Sequence, residues 1–106
     1  MRLLCAAAIL LTLACGKESE AEELQKSIVS WKATLQIVAD ARLKSEVRDG
    51  FALKTIAEAV DDLESRSAKV SSKPAVHLIG LAAQLREAIE RDDARAIAEA
   101  RDELAR

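Results

Sequence analysis

The sequence predicts an all-α protein: a small antiparallel bundle of three or four helices that follows an N-terminal signal peptide. Three observations favour this fold class. Apolar residues recur every three or four positions along most of the chain, acidic residues precede basic ones by four positions at several points, and no segment shows the alternation of apolar and polar residues that is typical of strands. Short connections between the helices favour an up-down order.

The first helix of the bundle is predicted to begin at Ser19, because Ser19 and Glu22 stand in the S-x-x-E relation of a capping box. Its apolar stripe is spaced 4, 3, 4 and 3 residues apart and consists of Leu24, Ile28, Trp31, Leu35 and Val38. This spacing places the stripe on one face of a helix. We expect the helix to end between Lys44 and Gly50, where the pattern is lost.

A second helix is predicted from about Phe51 to Ala68 or Val70. Its inner face consists of Leu53, Ile56, Val60, Leu63 and Val70, with Ala59 beside them. The run V-S-S-K-P then interrupts the pattern, because Pro74 has no amide hydrogen and is tolerated only in the first turn of a helix. A third helix should therefore start near Pro74.

The inner face of the third helix is predicted to consist of Leu78, Ala82, Leu85 and Ile89. Either Asp92 or Asp93 can cap a short fourth helix. That helix would bury Ile97, Ala98 and Leu104. Neither glycine nor proline interrupts this stretch, so a single helix over residues 74–105 is the alternative; we favour the break.

Acid–base pairs four residues apart indicate the solvent-facing sides of these helices, although each contributes only about 0.2–0.5 kcal/mol. The predicted pairs are Glu22–Lys26, Asp40–Lys44, Asp62–Arg66, Glu87–Arg91 and Asp102–Arg106.

The chain opens with M-R-L-L-C-A-A-A-I-L-L-T-L-A-C-G. One base, Arg2, precedes an uncharged apolar run that stops at Cys15, which is the order of a secretory signal. The closing L-T-L-A-C resembles the lipobox of bacterial lipoproteins, with small Ala14 before the cysteine and Gly16 after it. Small residues on both sides leave the backbone accessible to a signal peptidase.

The resemblance implies that the Cys15 thiol receives a diacylglyceryl group, that the chain is cut before Cys15, and that the new amino end is acylated. We therefore expect a signal peptide over residues 1–14, a lipid anchor with a short tether over 15–18, and the helical domain over 19–106. Two or more acyl chains anchor a protein stably, whereas one does not. By the same resemblance, Gly16 implies delivery to the periplasmic face of the outer membrane, if the source has two membranes.

Three other interpretations of the opening segment compete with a lipoprotein signal. A membrane-spanning helix is disfavoured, because the 13 residues from Leu3 to Cys15 extend roughly 20 Å, against a hydrocarbon core of about 30 Å. An ordinary signal peptide cut elsewhere has little room, since K-E-S-E follows directly after Gly16. A buried helix of another fold is disfavoured because the run has no polar face.

Composition limits what the mature domain can do. Loss of the signal leaves 92 residues and changes the net charge from −2 to −3, because Arg2 is removed. This acidity argues against binding nucleic acid, which needs a clustered basic surface. Cys5 is removed with the signal, so Cys15 alone remains and no internal disulfide can form. Packing must then stabilise the fold.

The chain offers few groups for catalysis or metal binding. His77 is the only histidine and Met1 the only methionine, whereas zinc, iron and haem sites need several converging ligands. Adjacent acids such as Asp61 and Asp62 point about 100° apart on a helix and make a poor catalytic pair. We therefore expect a domain that is not an enzyme and that binds no metal or cofactor.

Two hypotheses of function follow. The first is a membrane-anchored structural or interaction lipoprotein that binds an unknown envelope protein; the alternative is a periplasmic small-ligand binder with a cavity between its helices. Trp31 is the candidate partner contact, because tryptophan is frequent in binding hot spots. Its register with Ile28 and Leu35 favours instead a place in the bundle core.

Overall fold

The computed structural model describes secondary structure for residues 2–106 and side chains for residues 20–106. The helices are α1 (Arg2–Leu43), α2 (Asp49–Ser67), α3 (Lys73–Glu90) and α4 (Ala94–Ala105). The predicted all-α bundle is confirmed over the described residues, with four helices. Helix α1 continues through residue 19 without a break, so the predicted helix start at Ser19 was wrong. The signal peptide and the anchor at Cys15 lie outside the described side chains and stay predictions.

The four helices form an up-down-up-down bundle. Helix α1 packs against α2 and α4, α3 packs against the same two, and α1 also meets α3 across the bundle. Contacts along α1 give the directions: Glu23 and Trp31 reach late residues of α2, and Gln36 reaches the last turn of α4. Both neighbours therefore run antiparallel to α1. No helix within the described residues has a stretch apolar and long enough to cross a bilayer.

The core is entirely apolar: no polar or charged side chain is buried within residues 20–106. Fully buried large side chains come from all four helices, and each contributes about 1.5–3 kcal/mol by leaving water. They are Leu35, Ile56, Leu63, Leu85, Ile89, Ile97 and Leu104. Alanines such as Ala39, Ala52 and Ala59 fill the inner positions between them at 0% exposure.

The predicted inner faces are confirmed for α3 and largely for α1. All four predicted α3 residues are buried, and so are the α1 residues apart from Trp31. In α2 the prediction was partly wrong, because Ala52 and Ala59 take inner positions and leave Leu53 and Val60 half-buried at the edge. A similar replacement occurs in α4, where Ala100 is buried and Ala98 only half-buried.

The helix ends follow local capping. Helix α1 ends at Leu43, one residue before the predicted range, in a turn where Ser45 adopts φ 58°. The amide of Glu46 there donates to the carbonyl of Ala41 at 2.8 Å, which closes a Schellman motif. Helix α2 begins at Asp49, two residues before Phe51.

The predicted break between α3 and α4 is confirmed, and Asp92 and Asp93 have different roles in it. Asp92 ends α3 with φ 52°, and the Asp93 amide donates to the Ala88 carbonyl at 3.0 Å. The Asp93 carboxylate then accepts from the Ala96 amide at 3.1 Å and caps α4. A left-handed residue followed by a cap ends one helix and starts the next without glycine or proline.

The start of α3 is also as predicted. Pro74 is its second residue, where the missing amide hydrogen costs no helical bond. The Ser72 hydroxyl caps the helix by accepting from the Ala75 amide at 3.2 Å. Val70 lies beyond the end of α2 and packs, half-buried, against the core.

Three of the five predicted ion pairs form in the structure, namely Asp40–Lys44 at 3.9 Å, Asp62–Arg66 at 3.1 Å and Glu87–Arg91. The predictions of Glu22–Lys26 and Asp102–Arg106 were wrong. Arg106 instead contacts Glu103 at 3.1 Å, and Asp102 contacts Arg101 at 3.3 Å. These exposed side chains have several partners within reach, so spacing alone does not select one.

Candidate functional site

Trp31, the predicted candidate contact, lies half-buried between α1 and α2 and packs against the edge of the core. Its indole Nε1 donates a hydrogen bond to Asp62 Oδ2 at 2.9 Å. The ring therefore lies at the margin of the core, on the same helix face as Ile28 and Leu35. The polar edge of the ring, which a partner would contact, is already occupied by Asp62.

Asp62 is the centre of a small polar network that we call the α1/α2 seam, formed by Glu23, Trp31, Asp62 and Arg66. Arg66 Nε donates to Asp62 Oδ1 at 3.1 Å, and Arg66 NH1 lies 3.5 Å from Glu23 Oε2. The seam therefore joins α1 to α2 in two places along the helices, by the hydrogen bond between Trp31 and Asp62 and by the ion pair between Glu23 and Arg66.

This network lowers the pKa of the Asp62 carboxyl below its ordinary value of 3.8. The hydrogen bond from Trp31 is the largest cause, and those from Arg66 and Ser27 act in the same direction. Partial burial opposes them, because it disfavours the charged form. The carboxylate is therefore the form that the folded seam holds.

A second set of polar contacts joins α1 to α4. The Gln36 side-chain amide donates to the Leu104 carbonyl at 2.6 Å, which satisfies one of the free carbonyls at the end of α4. Arg101 NH1 donates to Asp40 Oδ1 at 3.0 Å. That bond is the largest cause of the raised pKa of Arg101, and a bond to Asp102 adds to it.

Arg42 links three segments at the end of the bundle away from the predicted anchor. Its Nε donates to Asp49 Oδ1 at 2.5 Å, and its NH2 donates to Asp92. It thereby joins the last turn of α1 to the first turn of α2 and to the α3–α4 turn. These two acceptors, Asp49 first, raise the pKa of Arg42.

The concave surfaces are grooves that open to solvent. A groove of about 540 Å³ lies between α3 and α4, with alanines along its base and six charged side chains at its edges. A second, of about 280 Å³, is the α2/α3 groove: its apolar lining is Ile56, Ala57, Val60, Ile79 and Ala83, and its charged edges are Asp61, Glu64 and Arg86. Both are surface features between neighbouring helices.

The lone histidine and the acids do not assemble into a metal site. His77 is exposed on α3 beside a groove of about 240 Å³. Within residues 20–106, no three His, Cys, Asp or Glu side chains converge to hold a metal ion. The predicted lipidation residue Cys15 and its flanks Ala14 and Gly16 lie outside the described side chains.

Comparisons with known proteins add no family to this description: no family model, no curated protein and no solved structure matches the chain.

Proposed function

We propose that this protein is an exported lipoprotein, held at a membrane by acyl chains on Cys15, whose helical domain acts by binding another envelope protein. The sequence L-T-L-A-C-G at residues 11–16 carries the proposal. A thiol in that setting, after an apolar segment and between small residues, is a lipidation site by resemblance. A cysteine with two or three acyl chains remains at the membrane.

The surface of the domain supports a binding role. Four large apolar side chains stand 58–68% exposed on three helices and are open to contact with a partner. They are Val29, Ile37, Phe51 and Val76. The polar groups of Trp31, Gln36 and Arg101, by contrast, are engaged in hydrogen bonds between helices. The exposed apolar side chains therefore remain available for a partner.

The bundle has a definite orientation under this proposal. The amino-terminal side of α1 faces the membrane, and the α2–α3 turn lies at the same end because α2 is antiparallel to α1. The α1–α2 and α3–α4 turns, joined by Arg42, then point away from the membrane.

Intact mass measurement of the membrane-extracted protein tests the anchor. The expected mass is that of the chain from Cys15 onward with diacylglycerol and an amide-linked acyl chain added. Cys15→Ala should abolish both the acyl mass and the cut before residue 15, so that the uncut chain is recovered without acyl groups. Cys5→Ala is the matched control, since Cys5 belongs to the segment that is removed, and it should leave the mature mass unchanged.

An unacylated mature chain from the wild type would contradict the anchor. The binding role is tested separately by mild cross-linking of intact membranes before extraction. Repeated recovery of the domain without any cross-linked protein would contradict that role.

A further inference from the structure

We draw no further inference here: the strongest candidate, the α2/α3 groove with the apolar strip of Val76, Ile79, Gly80 and Ala83 that continues it along α3, is an unpartnered apolar face, and nothing in the structure shows what covers it.

Discussion

Helix α2 has two flanks, and the comparison between them shows how one helix serves both the fold and the surface. On the side of α1, the seam joins Trp31, Asp62, Arg66 and Glu23 by hydrogen bonds and an ion pair between helices. On the side of α3, the contact with α2 leaves an apolar groove whose charged edges do not pair across it. The first flank stabilises the bundle, and the second is a groove open to solvent.

Two neighbouring aspartates show the contrast within a single turn. Asp62 accepts hydrogen bonds from Trp31 and Arg66, whereas Asp61 stands exposed at the edge of the α2/α3 groove. About 100° of helix rotation separates them. Adjacent carboxylates of the same kind therefore have different roles because they face different neighbours.

The largest effect is expected from breaking the core that both flanks share. Leu63 is fully buried on α2, so Leu63→Ala should lower the free energy of unfolding by about 2–5 kcal/mol through lost burial and a cavity. Urea unfolding followed by circular dichroism and by emission of Trp31, the only tryptophan, measures this. Ile37 is 68% exposed, so Ile37→Ala should change the free energy of unfolding by less than about 0.5 kcal/mol. Equal effects of the two variants would refute the assigned core.

The second-largest effect is expected from replacing Asp62 on the α1 flank of α2, compared with Asp61 on the α3 flank. Asp62→Ala should destabilise the protein by about 1–2 kcal/mol, because it removes charge-assisted hydrogen bonds from a partly exposed seam. Asp61→Ala is the matched control one residue away and should stay within about 0.5 kcal/mol of the wild type. A larger loss for Asp61→Ala than for Asp62→Ala would reverse the comparison.

The pH dependence sharpens the same comparison. Because the pKa of Asp62 is lowered in the folded protein, the unfolded chain takes up the proton first as the pH falls. The stability that Asp62 provides should therefore be complete well above pH 3.8 and should decline as the pH falls below that value. The difference in unfolding free energy between the wild type and Asp62→Asn should shrink over that range, as measured by urea titrations at each pH. A difference that is constant or grows would contradict the hydrogen-bonded carboxylate.

The smallest effect is expected on the other flank. Gly80→Ala should raise the free energy of unfolding by about 0.5–1 kcal/mol, since alanine favours a helix and its Cβ meets no neighbour. The measurement uses dilute protein, so that association between copies does not contribute. A Cβ at Gly50 would also meet no neighbour, but Gly50 lies in the first turn of α2, so Gly50→Ala should raise the free energy of unfolding by less. Destabilisation by Gly80→Ala would show that the strip on α3 is more closely packed than described.

Local patterns predicted the helices well and the contacts between helices poorly. Ser72, Pro74 and Asp93 act within three or four residues of their own positions, so sequence spacing identifies the starts of α3 and α4. The inner face of α2 was harder, because Leu53 and Val60 are more hydrophobic than Ala52 and Ala59. Hydrophobicity favours burial, but the closest helix contacts favour the smaller side chain.

The contacts that define the candidate sites had no signal in the sequence. Trp31 and Asp62 are 31 positions apart, Arg42 and Asp92 are 50 apart, and Gln36 reaches a carbonyl 68 positions away. Exposed charged side chains also have several possible partners, which is why two of the five predicted ion pairs did not form. Such contacts depend on how each helix is rotated against its neighbours.

The sequence by itself determined the helical class, favoured a break between α3 and α4 over one continuous helix, and led to the prediction that Cys15 carries a lipid anchor. These follow from interactions or signals within a few residues, which the chain encodes locally. Only the tertiary structure decided which aspartate of α2 pairs with Trp31, that Arg42 joins three segments, and that the α2/α3 groove is left uncovered. The physical reason is that helix rotation, set by packing over the whole bundle, determines which side chains meet.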